Sequence, residues 1–501
     1  MVTVRLPKML RKYASGYEYI EVDAPTVTGA LRAATAAHPD LELRLFDTGG
    51  LLHAHLSLFH NDRQVLREAQ AGTSVGPDDR LEVIINVVGG AEDVRMRGFR
   101  HRATVEEARS AALAGIQRLA PETVPVGEAA GRVLAGDVSS RVAVPAFRRA
   151  TMDGYAVQAA DTFGASAYSP IHLAVIGESL PGSTPDISVE RGSSMRIMTG
   201  APLPVGADAV LRAEDTTERE GTVEVRAPVA RDRNVGRIGE DIEIGDLVLT
   251  DGRRLLPQDV GLLASIGHDP VSVVRGPLVR VIVSGNELVA PGEQPHGTSI
   301  VDSNSPMLAA LIGRDGGKVE VVRLPDDQEA MRESLARPGA DVIVTAGAAS
   351  VGAEDRVPGL VDELGALVIH GVAMRPSSPT GVGRIGDRPV LILPGNPVSC
   401  LVAYDFFAGP VIRRLGGLPE AWPYLSRRLP LAKRLVSQIG RTDYARVRIE
   451  DDGVHPLAIS GASVLSSVTR ASGFVVVPAG LEGYPEGAEV EVHLYDPWSA
   501  G

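Results

Sequence analysis

The chain has 501 residues, 44% apolar, 23% charged and only 4% aromatic, and its formal net charge is −13. That balance describes a soluble globular protein of about three or four domains with Val, Leu, Ile and Ala cores, and it argues against general binding to nucleic acid or to anionic membrane. The single cysteine, Cys400, excludes an intramolecular disulfide and a thiolate metal cage; no stretch reaches the ~20 apolar residues that span a bilayer, and the opening MVTVRLPKML lacks a signal-peptide apolar block, so cytoplasm is the expected address.

From the N-terminus, VTVRL (2–6) and YIEV (19–22) alternate apolar and polar residues and predict a hairpin. Val27, Leu31, Ala34 and Ala37 recur at helical spacing until His38-Pro39 ends the run. HLSLFHND (55–62) predicts a strand and turn, and LEVIINVV (81–88) a last apolar strand that runs into Gly89-Gly90. The order ββαββ with a Gly-Gly tail, carried by FDTGGLLHAHLSLFHNDRQV and GPDDRLEVIINVVGG, resembles the ubiquitin-like sulfur carriers. The nearest in pattern are the molybdopterin synthase small subunit and the cysteine-biosynthesis carrier. The resemblance implies a β-grasp domain over 1–90 whose Gly89-Gly90 tail enters an adenylating enzyme, becomes an acyl-adenylate and accepts sulfur. The molybdopterin synthase large subunit is a further implied partner. Glycine suits a narrow channel because it has no Cβ. Gly90 is, however, in peptide linkage to Ala91, so activation requires a processing protease to cut after Gly90. From the two glycines alone, a plain flexible hinge stands as the alternative. His53, His55 and His60 lie near one strand without a fourth ligand and read as surface or edge residues.

AEDVRMRGFRHRA (91–103) has four arginines and no apolar period, which predicts an exposed linker open to proteolysis. From Thr104, Val105, Ala108, Ala112, Ile116 and Leu119 share one helical face until Pro121 stops it. A β-rich region of short motifs follows: PAFRRATMDGYAV (145–157), GESLPG (177–182), RIMTGAPLPVGADAVLRAED (196–215) and NVGRIGEDIEIGDLVLTDGRRLLPQDVGLLASIG (234–267), the last with a helix at Pro257–Ile266.

Beyond 276 the apolar runs LVRVIVSG (278–285), ADVIVTAG (340–347) and RPVLILPG (388–395) predict parallel strands buried on both faces. Helical patterns follow them: Met307, Leu308, Leu311 and Ile312 in one, Val398, Leu401 and Val402 in another. Alternating strands and helices predict a doubly wound α/β domain, whose ligands sit beyond the carboxyl ends of the strands. Those ends carry Ser284-Gly285-Asn286-Glu287, the run Gly347 to Asp355 with Ser350 and Gly352, and Pro394-Gly395-Asn396-Pro397-Val398-Ser399. Glycine lets backbone N–H groups approach an anion, and serine adds a donor. Glu287, Asp302, Asp326 and Asp355 bring carboxylates to the same turns, the ligand type that Mg²⁺ prefers. For Asp302 in VDSNS a helix cap is the plain alternative. Cys400 in NPVSCLV reads as a small buried helix residue.

Over roughly 104–501 the order and spacing of these motifs resemble the MoeA-type molybdenum insertases (molybdopterin molybdotransferases). The resemblance implies a discontinuous helical and extended linker domain (104–147 and 237–275), an inserted β domain (148–236), a molybdopterin-binding α/β domain (276–422) and a C-terminal β domain (423–501). It implies Mg²⁺-dependent insertion of molybdate into adenylylated molybdopterin with release of AMP. Glu287 in SGNELV, Asp326 in PDD and Asp355 in VGAED match family active-site acids, with Asp302 a further expected metal ligand. Asp153 in MDGYA and Thr199 in MTGAP match positions on the inserted domain, which completes the site from the partner subunit of a homodimer. Gly285, Gly347, Ser350, Gly352, Arg375, Gly395, Asn396, Ser399 and, in VLSSVT, Ser466 are the expected contacts to pterin and phosphate.

The chain also departs from that pattern. Ala348 stands where a second glycine is usual, Asn286 for an Asp, Gly371 and Arg375 for lysines, and Ser377-Ser378 in the slots of a P-G-K-P segment. Positive charge is thereby thinned where molybdate belongs. Arg375 and Arg384 remain to compensate, and His370 only when protonated. The leading reading is a sulfur carrier fused to an insertase. The alternative is a catalytically weakened paralogue that binds pterin or acts as a scaffold, and nothing in the sequence separates molybdenum from tungsten.

Overall fold

A computed structural model describes residues 1–46, 50, 52–53, 56–61, 63–65, 72–85, 102–347, 357–459 and 461–496. They fall into two compact units, Met1–Arg118 with Gly276–Gly501, and Leu119–Arg275. Among the described residues no helix is long and apolar enough to cross a membrane.

The N-terminal domain has strands β1 (Val2–Arg5), β2 (Tyr19–Val22), β3 (Leu56–His60), β4 (Arg63–Val65) and β5 (Arg80–Ile85), with helix α1 (Val27–Ala37). The sheet order is β2-β1-β5-β3-β4, and the central pair β1–β5 is parallel. Alternation on β1 and β2 puts Val2, Val4, Ile20 and Val22 under α1, whose Val27, Ala30, Leu31 and Ala34 close the core. The Thr26 hydroxyl accepts the Gly29 N–H and starts α1 where the sequence places it. Strand β4 was not expected, since three residues are too few to show alternation. Residues 86–88, Gly89 and Gly90 lie outside the described residues.

One carboxylate fastens this domain's turns. Asp79 accepts the Gly76 N–H at 2.8 Å, the Asn61 amide at 2.7 Å and lies 2.8 Å from His60 Nε2. These contacts, the Gly76 N–H first, hold its pKa down at about 2 against an ordinary 3.8. A group so depressed contributes stability above its unfolded pKa and loses it as pH falls through the folded one. Acid titration followed by circular dichroism is therefore expected to show weakening between about pH 4 and 2, and Asp79→Asn to flatten that slope.

Helix α2 (Val105–Leu113) opens on a reciprocal capping box: the Glu107 N–H donates to Thr104 Oγ1 at 3.1 Å and the Thr104 N–H to Glu107 Oε2 at 2.8 Å. Such a cap is worth about 0.5–2 kcal/mol. The helix is shorter than its apolar period predicts because Gly115, at φ +69°, turns the chain, and Ile116 is buried beyond the turn. Although placed by sequence in the linker domain, α2 clusters with the later α/β domain.

In the second unit, strands β6 (Gly154–Val157), β7 (Ile171–Ser179), β8 (Ser193–Ile197), β9 (Ala209–Arg212), β10 (Thr216–Arg219) and β11 (Thr222–Val225) form one sheet in the order β9-β6-β8-β7-β11-β10. Flanking segments add helix α3 (Pro257–Ser265) and short strand pairs over a core of Leu134, Val138, Leu249, Leu263 and Val273.

The α/β domain contains β12 (Leu278–Ser284), α4 (Asn304–Arg314), β13 (Lys318–Leu324), α5 (Gln328–Ala336), β14 (Val342–Ala346), α6 (Val357–Leu364), β15 (Ala366–His370), β16 (Met374–Arg375), β17 (Gly381–Ile385), β18 (Arg388–Leu393), α7 (Pro397–Ala403) and α8 (Gly409–Leu415). Its sheet runs β13-β12-β14-β18-β17-β15, and β13, β12, β14 and β18 are parallel. Ile282, Ile343, Val390 and Ile392 form one core with Met331, Leu335, Leu360 and Val361 of α5 and α6. The near-continuous apolar runs reflect this burial on both faces. The C-terminal sheet joins β16 to β20 (Thr442–Glu450), β22 (Gly473–Val477), β23 (Glu489–Leu494) and β19 (Ser426–Pro430), with β21 (Gly453–Ala458) beside β20.

Candidate functional site

The parallel register brings four carboxyl ends to one edge of the α/β sheet: Leu324, Ser284, Ala346 and Leu393, in sheet order. The turns that follow carry Asp326, Gly285 to Glu287, Gly347, and Gly395-Asn396. Gly347 has φ +102°, and a Cβ there would stand 2.9 Å from the Ser284 carbonyl oxygen. Gly395 packs on it in turn, its own notional Cβ 3.3 Å from the Gly347 Cα. The second and third glycines thus let the backbone turns stack where side chains would hold them apart.

The acids divide by what holds them. Glu287 is exposed, its carboxylate lies over the Gly285 Cα, and no described residue hydrogen-bonds it. Asp326 is exposed and shares a reciprocal clasp with Asn286: the Asn286 N–H donates to Asp326 Oδ2 at 3.0 Å, and the Asp326 N–H to Asn286 Oδ1 at 3.1 Å. This clasp joins the ends of β12 and β13. Sequence reading noted Asn286 only as a departure and missed its contact.

Asp302, expected as a metal ligand, is instead bound up in the fold. It is 2% exposed, accepts the Ser305 N–H at 3.0 Å and the Ser305 hydroxyl, and pairs with Arg323 Nε at 2.9 Å. Burial would raise its pKa, but the Ser305 and Arg323 contacts outweigh that and hold it below the ordinary value. Both oxygens are committed to the first turn of α4, which is the capping alternative and leaves no open face for a cation. Asp355, Ser350 and Gly352 lie outside the described residues.

The expected basic groups are also engaged. Arg375 Nη2 donates to Asp443 Oδ2 at 2.6 Å, where β16 pairs with β20. Asp443 is fully buried and also accepts from the Ser437 hydroxyl at 2.8 Å and from Arg441 Nε at 3.1 Å. Arg384 pairs across from Pro389 at the opposite end of β18, and its guanidinium donates to the Ala114 carbonyl. It therefore does not compensate at this edge. His370 ends β15 at the site edge and is buried.

Ser399 is 4% exposed within α7, and its carbonyl accepts the Ser377 hydroxyl at 2.6 Å. That bond holds Ser377, at φ +87°, in a conformation costly for a residue with a Cβ. A glycine pattern in the family slot therefore has a backbone cause visible here. Asn396 is exposed and precedes α7. The Val398 N–H donates to the Ala462 carbonyl at 2.9 Å, tying the loop before Ser466 to the start of α7. Ser466 is exposed and its hydroxyl accepts from Arg470. Cys400 is fully buried, and burial pushes its thiol pKa up, so it is an inert core residue as expected.

In the other unit, Asp153 and Thr199 meet. The Thr199 N–H and hydroxyl both donate to Asp153 Oδ1 at 2.7 Å, which lowers the Asp153 pKa. Both residues are exposed. Among the described residues the one trio with metal-ligand geometry is Glu450, Asp452 and His455 at the β20–β21 turn.

Three family models match the chain in order: the MoeA N-terminal region (domain I and II) over 103–267, the "Probable molybdopterin binding domain" over 280–414 and the MoeA C-terminal region (domain IV) over 428–495. Molybdopterin molybdenumtransferase 2 of Mycobacterium tuberculosis is 34% identical over 389 residues, 74% of this chain and 94% of that protein. Molybdopterin molybdenumtransferase of Staphylococcus aureus is 30% identical over 381 residues, 74% and 90% of the two chains. The crystal structure of a molybdopterin biosynthesis MoeA protein from Pyrococcus horikosii superposes with TM-score 0.68 at 34% identity, covering 79% of this chain and all of that one.

Proposed function

The chain belongs to the MoeA family of molybdopterin molybdenumtransferases, enzymes of molybdenum cofactor biosynthesis, and on that premise we propose that it uses Mg²⁺ to insert molybdate into adenylylated molybdopterin with release of AMP. The observation that supports this most is the edge itself. The close-stacked backbone turns at Gly347 and Gly395 share this edge with Glu287, whose carboxylate no described residue hydrogen-bonds, and with the clasped Asp326. The donor set is carboxylate oxygen, which fits a hard divalent cation. Glu287 and Asp326, with Asp355, would hold the ion; bound there, it would neutralise phosphoanhydride oxygens. The chain's own turns orient the substrate, and Asn286 keeps the two acid-bearing strand ends in register. The Asp153–Thr199 clasp serves the same reaction in a homodimer.

The N-terminal domain is, in this reading, a ubiquitin-like sulfur carrier freed by cleavage after Gly90. Its mixed sheet, with a parallel central pair and one helix packed across, supports that assignment. Sulfur delivery makes the dithiolene into which metal is then inserted, so the two parts act in succession. Intact-mass analysis of protein from its own host is expected to find a fragment ending at Gly90. Exclusively full-length chain that still supports sulfur transfer would refute cleavage.

A second reading, a weakened paralogue that binds pterin without turnover, has one observation in its favour. Arg375 is shared with a buried Asp443, and Arg384 lies at the far edge. Residues 91–501 with adenylylated molybdopterin, Mg²⁺ and molybdate decide between them. AMP release coupled to active cofactor supports the insertase; tight pterin binding without turnover supports the scaffold.

A further inference from the structure

One buried side chain touches the site's backbone without being among its expected residues. Asn304 opens α4 and is 9% exposed. Its Nδ2 donates to the Gly395 carbonyl at 2.7 Å, while its Oδ1 is buried with no hydrogen-bond partner among the described residues. A buried acceptor left alone is a cost to stability, and leucine, similar in size, would remove it. Gly395 is an exposed residue at the surface end of this contact, so leucine at 304 gives up one hydrogen bond to the turn and removes the buried acceptor. The asparagine therefore sits where an apolar residue is the more stable choice, which locates its use in the turn it holds.

The surroundings say what that use is. Two residues earlier, Asp302 locks the first turn of α4 to β13 through Arg323. That strand runs on to Asp326, which clasps Asn286 beside Glu287. From the same turn of α4, Asn304 reaches to Gly395, which packs on Gly347, which packs on Ser284. We infer that Asn304 is a positioning residue: it fixes the Gly395-Asn396 turn relative to the acids at 287 and 326. Resting on the reading that this edge takes the adenylylated pterin, the inference assigns Asn304 to substrate placement and not to cation binding.

The test compares the full chain with Asn304→Leu, and with Asn304→Ala should leucine fail to fold. The expected result is a thermal midpoint for Asn304→Leu at or above that of the parent, KM for adenylylated molybdopterin raised on the order of tenfold, and kcat little changed. Calorimetric titration with Mg²⁺ alone is expected to be unaltered in both variants. An unchanged KM overturns the inference. So does a loss of kcat and of Mg²⁺ affinity in step with a lowered midpoint, which is the signature of a structural role. A parent chain that neither binds nor turns over the pterin removes the premise, and is recognised from the parent alone.

Discussion

Glu287→Gln is expected to cut AMP release from adenylylated molybdopterin by roughly 10²-fold or more, the scale on which a single charged group at a reacting centre acts. The thermal midpoint is expected to stay put. Glu287 is exposed and no described residue hydrogen-bonds its carboxylate, and substitutions at such positions usually shift stability by under about 0.5 kcal/mol. Glutamine keeps the shape over Gly285 and removes only the charge. Asp326→Asn differs in kind, because Asp326 Oδ2 also accepts the Asn286 N–H. An amide can turn its oxygen to that donor, so the clasp survives while the ligand charge is lost. Enzyme kinetics beside differential scanning calorimetry checks both. A Glu287→Gln chain with parental turnover removes this residue from the chemistry, and the proposed Mg²⁺ site with it.

Much of this edge was legible because parallel strands declare themselves. Val281, Ile282 and Val283 on β12 and Leu391, Ile392 and Leu393 on β18 are apolar in succession, which sheets buried on both faces require. Once such strands are placed, the fold dictates that their carboxyl ends gather. What stayed hidden depends on partners distant in sequence. Asp302 reads like any acid near a turn until Arg323, 21 residues on, is found against it. Arg375 reads as a free cation until Asp443, 68 residues away, is found beside it. Charge alone predicts neither pairing, because burial decides whether an ion is available or spent. Asn304 stood in the same VDSNS motif as Asp302, and only its contact with Gly395 distinguishes it.

The last prediction concerns the missing positive charge. Restoring the family segment with Ser377→Gly and Ser378→Lys is expected to tighten molybdate binding by roughly tenfold, the effect of one added cation partly screened by solvent. The backbone is already prepared for the first change. Ser377 sits at φ +87°, so glycine relieves a cost of about 1–2 kcal/mol. Against that gain stand the lost Ser377–Ser399 bond, worth about 1 kcal/mol, and the looser unfolded chain of glycine, about 0.5–1 kcal/mol. The terms nearly cancel, so stability should hardly move. At 378 the residue as a whole is half-buried, but its hydroxyl oxygen is buried with no hydrogen-bond partner among the described residues, so lysine forfeits no hydrogen bond and must turn its stem outward from that position. A lysine stem can lie along the loop with its ammonium at the edge. Arg375 is tethered to β20 by its bond to Asp443, a carboxylate it shares with Arg441, so its guanidinium is not free to follow an oxyanion at the edge. Calorimetry with molybdate, on parent and double variant in the presence of the pterin nucleotide, measures the difference. Tighter binding with faster cofactor formation means the parent is an insertase limited by its oxyanion site. Tighter binding without turnover favours the scaffold. Equal affinity in a folded variant means the oxyanion is held somewhere other than the 374–380 segment.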